Sequence, residues 1–556
     1  MNSFDVCIIG AGPAGLTMAM ELANQGLNII IVESGDESNL SSAQRLSDAE
    51  ILTPTSHEVM QDAVRRGLGG TSALWGGRCV PLDPIDFESR NGIDGSGWPI
   101  EANELDLYYK RACEILGAGE PSFTVNTCTS LTSVDTLLSA NFDNNDTIIT
   151  NQLERWSRSP NVWKSFKKII TSHTNIKIQP KHTCVGFRHS QINTPVTDIL
   201  LKRTDITNSG SITIKTKFYV IACGGIESTR LILNSINDPL GLKLSNPQLV
   251  GRYYMGHPSG KIADIELSGD PKKTLYGFEY DSSVYVRRRI TFNINTLRKE
   301  NLLNIAFWFD NPPIADWRHG SGMLSAAYLS LTAPLLGKFL APTAVRKRVA
   351  GLYGKQRLHH LMNCITNPFS TIGFCVKFFW QRYIAKPRIP GFFTYSPNNR
   401  YALHYHAEQS PNWNSTITLS NELDALGMNR AKISLKWSQK DIESIIKAHR
   451  LLDANLQNNN IGRLVYRIAD EKLYDSIEEQ AVDGFHQIGT LRMSEDEFTG
   501  VTDSYGRLWG TSNVFVASSA IFPTSGQANP TLTMIAFVVR QAEYIANIFH
   551  NKDCHE

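Results

Sequence analysis

The first chemistry that the sequence suggests is nucleotide binding, because three glycines and one acid near its start have a defined spacing. Gly10, Gly12 and Gly15 form the pattern GxGxxG, and Glu33 follows at the end of an apolar run. The first glycine allows a tight turn, the second lets a diphosphate approach the backbone, and the third lets a helix pack on a strand. The acid can accept hydrogen bonds from ribose hydroxyls. The spacing therefore predicts a dinucleotide site, which suits NAD as well as FAD.

The elements that would position these residues are a strand, a helix and a second strand. Residues 6–9 and 28–32 are short apolar runs typical of buried parallel strands, and residues 14–25 have helical periodicity. The helix would direct free N–H groups and the positive end of its dipole at a diphosphate. We therefore predict an α/β fold for this part of the chain.

A second glycine-rich segment occupies residues 66–87. Its glycines permit positive φ angles and a close approach of the backbone to a flat or anionic group. A flexible loop that binds nothing is the alternative interpretation. A second loop beside a dinucleotide fold suits a large cofactor, which favours FAD over NAD.

The order of several segments resembles the glucose-methanol-choline (GMC) family of flavin oxidoreductases. They are the N-terminal glycine pattern, GGTSALWGG (69–77), GWPI (97–100), YVIACGGIESTRLILNS (219–235), VGRYYMGHP (250–258), EQSPNWNSTITLSNELDALG (408–427) and the run from His486 to Phe549. The resemblance implies an α/β, Rossmann-like FAD-binding domain assembled from residues 1–110, 175–260 and 480–556. It also implies an α+β substrate domain built on an antiparallel sheet, from residues 111–174 and 261–479. Within that domain, residues 438–457 have the spacing of an amphipathic helix that Ser438 caps.

The same resemblance predicts which residues contact FAD. They are Gly10, Gly12, Pro13, Ala14, Gly15, Glu33, Ser34, Gly69, Gly70, Thr71, Ser72, Leu74, Trp75, Gly76, Val185, Ala222, Gly224, Ser518, Ser519, Pro530 and Thr531. The sequence departs from the family at two of these positions. Leu74 stands where some members carry the histidine that tethers FAD, so we predict non-covalent FAD. Ser518 stands where many members carry an aspartate.

The resemblance also predicts the catalytic pair. HQIGTLRM, from His486, resembles the family segment whose histidine faces the flavin ring, and Asn529 in SGQANPTLTMIAF matches the second active-site residue. A neutral imidazole can take the hydroxyl proton while the flavin takes a hydride. A structural hydrogen bond for His486 and a helix cap for Asn529 are the alternatives. His404 and His406 share one side of a strand and could line the substrate pocket; they lack a third ligand, so we predict no metal.

Residues 317–400 form a basic and apolar insert. No acid lies between Asp316 and Glu408, and the apolar stretches 322–337 and 373–385 are too interrupted to span a membrane. Cations among large apolar side chains suit either a lid or a surface that lies on anionic lipid. The sequence therefore leaves peripheral membrane contact open for this insert.

Composition limits the classes of binding partner and the cellular compartment that we expect for this protein. The formal net charge of +2 gives no global attraction to nucleic acid, and nine cysteines show no CxxC spacing. The N-terminus lacks the basic and cleavage features of a secretory signal. We therefore expect a cytoplasmic protein, with or without peripheral attachment to the membrane.

These observations predict FAD-dependent oxidation of a CH–OH group in a sugar, polyol or other alcohol. GQANPTLT resembles the segment of pyranose oxidases and bacterial sugar dehydrogenases. The electron acceptor could be oxygen, a quinone or a protein carrier. The alternatives are a nicotinamide-dependent dehydrogenase, and a flavin-bound, non-catalytic binding or assembly protein at a membrane surface.

Overall fold

The computed structural model describes residues 4–128, 130–131, 146–206, 210–270, 277–340, 346, 356–396 and 398–553. Within these residues the strands are β1 (Val6–Ile9), β2 (Ile29–Val32), β3 (Glu50–Ile51), β4 (Arg78–Cys79), β5 (Ile148–Trp156), β6 (Ile176–Gln179), β7 (His182–Arg188), β8 (Asp198–Arg203), β9 (Ile212–Ile214), β10 (Phe218–Ile221), β11 (Ser259–Leu267), β12 (Glu279–Asp281), β13 (Val284–Phe292), β14 (Ile305–Asp310), β15 (Arg400–Ala407), β16 (Thr416–Leu423), β17 (Asn429–Ser434), β18 (Gly462–Tyr466) and β19 (Val514–Val516).

The α-helices of the same residues are α1 (Pro13–Asn24), α2 (Ser41–Arg45), α3 (Met60–Ala63), α4 (Pro84–Phe87), α5 (Asp106–Leu116), α6 (Val162–Ser172), α7 (Gly225–Asn237), α8 (Ile294–Glu300), α9 (Gly322–Thr332), α10 (Leu336–Leu340), α11 (Arg357–Thr366), α12 (Pro368–Phe379), α13 (Gln439–Asn458), α14 (Leu473–Gln480) and α15 (Thr531–Asp553). Short 3₁₀ segments cover Gly70–Ala73, Ala102–Leu105, Val125–Thr127, Pro247–Leu249, Trp317–His319, Asp470–Lys472 and Ser519–Ile521, and Trp380–Ile384 is a π-helical turn.

A parallel sheet in the order β19-β10-β1-β2-β6 is the centre of the nucleotide-binding half. The inner strands are continuous apolar runs, VCII, IIIV and FYVI, because both faces of the sheet are covered. Helices α1 and α15 share one apolar core with these strands. Residues far apart in the chain thereby form one sheet, and the predicted fold class is confirmed.

An antiparallel sheet in the order β18-β11-β15-β14-β13-β5-β4 forms the second half, with β12 paired to β13. Alternation along its strands separates two faces. On one face Phe307 and Leu403 pack in a core with Ile445 of α13. The other face carries polar and aromatic side chains, including Trp308 and His406. The predicted helix is present as α13, with Ser438 and Asp441 in a capping box.

Strand pairing crosses the predicted domain boundaries. β4 comes from the first predicted FAD-binding segment, yet it pairs with β5 in the antiparallel sheet. β17 comes from the predicted substrate segment, yet it pairs with β3 of the first predicted FAD-binding segment. The two halves therefore share short strands at their junction, and the boundaries stay a prediction.

The basic insert is described over residues 317–340, 346, 356–396 and 398–400; residues 341–345, 347–355 and 397 lie outside the described residues. Helices α9 to α12 occupy it, and many of its large apolar side chains are exposed. Within the described part of the chain, one helix is long and apolar enough to cross a membrane, residues Thr531–Asn551. It belongs to α15, and 61% of its apolar window is buried inside the molecule.

Candidate active site

A cavity of about 570 Å³ lies at the carboxyl ends of the parallel strands. Ile9, Val32, Ala222 and Ala517 line it, each at or just beyond the end of a strand. The carboxyl edge is the usual ligand-binding edge of an open α/β sheet. The volume of the cavity lies within the range of about 300–1,000 Å³ that is typical of ligand pockets.

The first glycine loop forms one wall of this cavity. Gly10, Gly12, Pro13 and Ala14 line it, and α1 begins at Pro13 without a capping side chain on Gly12. The open N-terminus of the helix therefore presents backbone N–H groups to the cavity. Gly15 does not line the cavity; a Cβ there would lie 2.0 Å from the Gly10 carbonyl oxygen. Its role in this structure is the close packing of helix and strand.

Glu33 is the buried carboxylate of the nucleotide site. Its Oε2 accepts from the Ala11 N–H at 2.9 Å, and its Oε1 accepts from the Gly35 N–H at 2.8 Å. Glu33 and Ser34 both line the cavity just beyond β2. The carboxylate is thus fixed by backbone donors, in position to accept ribose hydroxyls.

The second glycine loop faces the first. A Cβ on Gly70 would lie 2.9 Å from Gly12 Cα, so the two loops touch. The lining residues of this loop are Gly70, Thr71, Ser72, Leu74, Trp75 and Gly76. Gly69 lies outside the lining; it has a φ of 89° and donates its N–H to the Ala11 carbonyl at 2.8 Å. It connects the loops.

The remaining predicted FAD contacts come from three later segments. Ala222, Gly224, Ser518, Ser519, Pro530 and Thr531 line the cavity. Val185 does not: it packs against the apolar core, while its neighbours Thr183 and Cys184 line the cavity.

Sequence reasoning missed several polar lining residues. Arg66 forms an ion pair with Glu227 inside the cavity wall, and Gln487 Oε1 accepts from the Ile226 N–H at 3.0 Å. Arg66 begins the second glycine-rich segment and Glu227 lies within GGIESTR. Both residues therefore belong to segments that already indicated cofactor binding. Neither side chain has a spacing that alone distinguishes it.

The residues present fit FAD. The N-termini of α1, α7 and α15 all reach the cavity, through Pro13, Gly225 and Thr531. Three helix N-termini, two open glycine loops and one buried carboxylate suit a diphosphate-bridged dinucleotide. The glycine loops and Glu33 would hold it.

His486 and Asn529 lie together at one end of this cavity. Asn529 Nδ2 donates to His486 Nε2 at 2.7 Å, and both residues line the cavity. Asn529 Oδ1 is buried and has no hydrogen-bond partner within the described residues. Asn529 therefore does not cap α15 through this oxygen, which remains available to a ligand.

Asp483 holds the opposite edge of the His486 ring. Its Oδ2 lies 3.1 Å from His486 Nδ1, while its Oδ1 accepts the Gly484, Phe485 and His486 N–H groups at 2.8, 2.9 and 3.1 Å. Burial opposes ionisation of Asp483, but the charge and ring hydrogen bond of His486, followed by the charge and backbone N–H of His257, hold its pKa well below its ordinary value. A carboxylate at Nδ1 keeps the proton there and leaves Nε2 as an acceptor.

His257 completes the hydrogen-bond chain. Its Nδ1 lies 3.0 Å from His486 Nδ1, and its Nε2 lies 3.3 Å from the Ser525 carbonyl oxygen. Burial, and then the proximity of His486, lower the pKa of His257 to about 3. A neutral His257 that donates through Nε2 can accept at Nδ1, so the two contacts are compatible.

His406 stacks on His257, with ring centroids 4.4 Å apart, and donates through Nδ1 to the Gln527 carbonyl at 2.6 Å. One ring nitrogen from each of His257, His406 and His486 lies within 4.8 Å of the other two. The sequence offered only His404 as a neighbour of His406, whereas the structure places His257 and His486 beside it. His404 stacks on Trp308 and is not part of this group. The absence of a metal stays a prediction.

Comparisons with known proteins identify two regions of the chain. Residues 411–537 match the family model described as GMC oxidoreductase, and residues 3–68 match the model described as FAD binding domain. The chain therefore contains a region that matches a GMC oxidoreductase domain and a region that matches an FAD-binding domain. It is an FAD-dependent oxidoreductase that acts on CH–OH donors.

The relatives cover nearly the whole chain at low identity. The chain is 22% identical to 2-methyl-1,2-propanediol dehydrogenase of Mycolicibacterium austroafricanum, over 98% of this chain and 95% of the relative. It is 21% identical to paromamine 6'-oxidase of Streptomyces fradiae, over 98% and 91%. A fungal aryl-alcohol oxidase structure matches with a TM-score of 0.54 and 13% identity, over 99% of this chain and 100% of that one. The similarity to the aryl-alcohol oxidase shows a shared fold only.

Proposed function

We propose that this oxidoreductase oxidises a CH–OH group of a sugar or polyol, with His486 as the proton acceptor and Asn529 as the residue that orients the alcohol. The observation that supports this role is the 2.7 Å contact between His486 Nε2 and Asn529 Nδ2 within the cavity. When bound, FAD supplies the acceptor for the hydride that leaves the carbinol carbon.

The hydroxyl group of a substrate can replace the direct contact between the two side chains. Its oxygen would accept from Asn529 Nδ2, and its proton would pass to His486 Nε2. Asp483, 3.1 Å from Nδ1, would stabilise the imidazolium that forms. General-base help of this kind is worth about 10²–10⁴-fold in rate.

The substrate class rests on the relatives and on the cavity wall. One relative is named for a diol and another for paromamine. His486, Gln487 and Asn529 line the cavity, and a few polar groups of this kind suit a hydroxylated ligand. Anaerobic mixing with a panel of sugars, polyols and aliphatic alcohols tests the class: bleaching of the flavin by none of them would discard it.

Non-covalent attachment of FAD is a separate proposal. Leu74 lines the cavity where some family members carry the tethering histidine, and its alkyl side chain cannot form that bond. Acid precipitation should release yellow colour into the supernatant. Colour that stays in the pellet would show a covalent link through another residue.

The acceptor is oxygen, a quinone or a protein carrier, and the relatives include both an oxidase and a dehydrogenase. Stopped-flow mixing of the reduced enzyme with air separates an oxidase from the other two. Rapid reoxidation identifies an oxidase, and slow reoxidation requires a screen of quinones and carriers.

We also propose a cytoplasmic protein whose insert touches anionic membrane surfaces. Phe369, Leu358 and Leu335 are 90%, 79% and 77% exposed, in a segment without acidic residues. Apolar side chains flanked by cations suit insertion among anionic headgroups. We expect the protein to float with anionic liposomes but not with neutral ones. Failure to float with either kind would refute the membrane contact and favour a lid.

A further inference from the structure

A cluster of arginines lies on the antiparallel-sheet side of the cavity. Arg78 Nε lies 2.5 Å from Glu154 Oε2, and Arg287 Nε donates to Glu154 Oε1 at 2.6 Å. Arg287 and Glu154 lie side by side because the register of the β13–β5 pair places them opposite each other. Arg289, two residues along β13, is on the same face. One buried carboxylate thus faces three guanidinium groups.

Arg289 does not draw on Glu154 for its hydrogen bonds. Its Nη1 donates to Gln527 Oε1 at 2.7 Å and its Nη2 donates to Gln152 Oε1 at 3.0 Å. The nearby Asp83 Oδ2 accepts from Gln527 and Asn304, both at 2.9 Å. Asp83 therefore accepts hydrogen bonds from two neutral amide groups.

Arg78 is the member of the cluster that lines the cavity. Its Nη2 is buried and has no hydrogen-bond partner in the described part of the chain. Its guanidinium lies over Trp308, 4.3 Å from the ring centroid. Burial lowers the pKa of Arg78 to about 10, so the side chain stays charged at neutral pH. A buried guanidinium donor normally has an acceptor.

Arg78 and the catalytic pair share this cavity. The Trp308 ring lies 6.3 Å from the His406 ring, which lies 5.6 Å from the His486 ring. Because Arg78, His486 and Asn529 all line this cavity, a ligand whose hydroxyl group contacts His486 can extend within it toward Arg78. A carboxylate or phosphate oxygen is the acceptor that best matches a guanidinium donor.

We propose that Arg78 is an anion-binding residue of the substrate site, so that the preferred substrate is a sugar or polyol that carries a carboxylate or phosphate group. This specificity rests on the proposed function. It explains why a cavity-lining donor of Arg78 has no hydrogen-bond partner among the described residues.

The test compares matched substrates on the FAD-loaded enzyme. Anaerobic flavin reduction is measured with glucose, gluconate and glucose 6-phosphate, for the wild type, Arg78→Met and Arg78→Lys. We expect the limiting reduction rate divided by the apparent substrate Kd to be about tenfold higher for at least one acidic sugar than for glucose, and Arg78→Met to remove that preference. Arg252→Met is the control, because Arg252 also stacks on a tryptophan, Trp413, but does not line the cavity.

A binding measurement separates this inference from the catalytic proposal. Titration of the oxidised wild type with acetate and with inorganic phosphate should perturb the flavin absorbance saturably, and Arg78→Met should abolish the change. The response to the two anions distinguishes a carboxylate site from a phosphate site. Absence of a saturable response in the wild type, or equal rates with glucose and both acids, would overturn the inference. Failure of every alcohol to bleach the flavin would instead refute the proposed function.

Discussion

Asp483 Oδ2 lies 3.1 Å from His486 Nδ1, three residues along the chain, while Asp483 Oδ1 accepts the backbone N–H of His486 itself. One carboxylate therefore fixes both the backbone and the ring of the proposed base. This relationship sets the proton on Nδ1 and leaves Nε2 facing Asn529.

Asp483→Asn should lower the rate of flavin reduction by about 10²–10⁴-fold, because an amide can donate to Nδ1 and place the proton on Nε2. The effect should fall on the limiting rate more than on KM, with the FAD absorbance spectrum retained. Single-turnover stopped-flow measures it. Asp496→Asn, in an exposed turn, is the control. Equal losses in FAD content and rate would indicate a structural role only.

Asn529→Ala should lower the limiting rate of flavin reduction by about 10²-fold, because the alcohol oxygen loses a preorganised donor. Asn529→His should restore part of the rate, since an imidazole can also donate at this position. The rate constants of the three proteins with one sugar substrate decide the question. A wild-type rate in Asn529→Ala would assign the orienting role to another residue.

The first glycine loop predicts two distinct phenotypes. A Cβ on Gly15 would lie 2.0 Å from the Gly10 carbonyl oxygen, whereas a Cβ on Gly12 would meet nothing within 4 Å. Gly15→Ala should therefore destabilise the fold by about 1–3 kcal/mol. Gly12→Ala should keep the Tm of the FAD-free protein but weaken FAD binding, because the methyl group enters the cavity. Thermal melts and FAD titration measure both; a reversed pattern would contradict these assignments.

Stability should fall as the pH drops from about 6.5 toward 4. Burial lowers the pKa of His257 to about 3 and that of His449 to about 4. The unfolded chain binds these protons at higher pH than the folded chain, so acid favours unfolding, by up to about 1.4 kcal/mol per pH unit for each group. His449→Gln, outside the cavity, should flatten the dependence of unfolding free energy on pH. An unchanged slope would refute the neutral, buried state of His449.

Local patterns were sufficient for the elements that bind the nucleotide. The apolar runs, the glycine spacing and Glu33 predicted β1, α1 and β2, because this unit forms from neighbouring residues. The resemblance supplied His486 and Asn529, which are 43 residues apart and meet at 2.7 Å.

Residues whose role depends on distant strands were not predictable in this way. His257 lies within VGRYYMGHP and Arg78 within the second glycine-rich segment, but neither pattern assigns these side chains a role. They acquire their partners only when distant strands assemble. Val185, Gly69 and Gly15 show the converse: family spacing placed them at FAD, while the structure uses them in packing or between loops. Asp483 lies just before the segment that identified His486, and only the ring contact reveals it.

The most direct test of His486 as the base is the anaerobic, single-turnover rate of flavin reduction in His486→Ala, with His173→Ala, outside the cavity, as the control. The proton of the alcohol has no other acceptor assigned in this cavity, so we expect a loss of about 10²–10⁴-fold with the FAD spectrum unchanged. His173→Ala should match the wild type. A His486→Ala enzyme that retains FAD and reduces it at the wild-type rate would contradict the central claim.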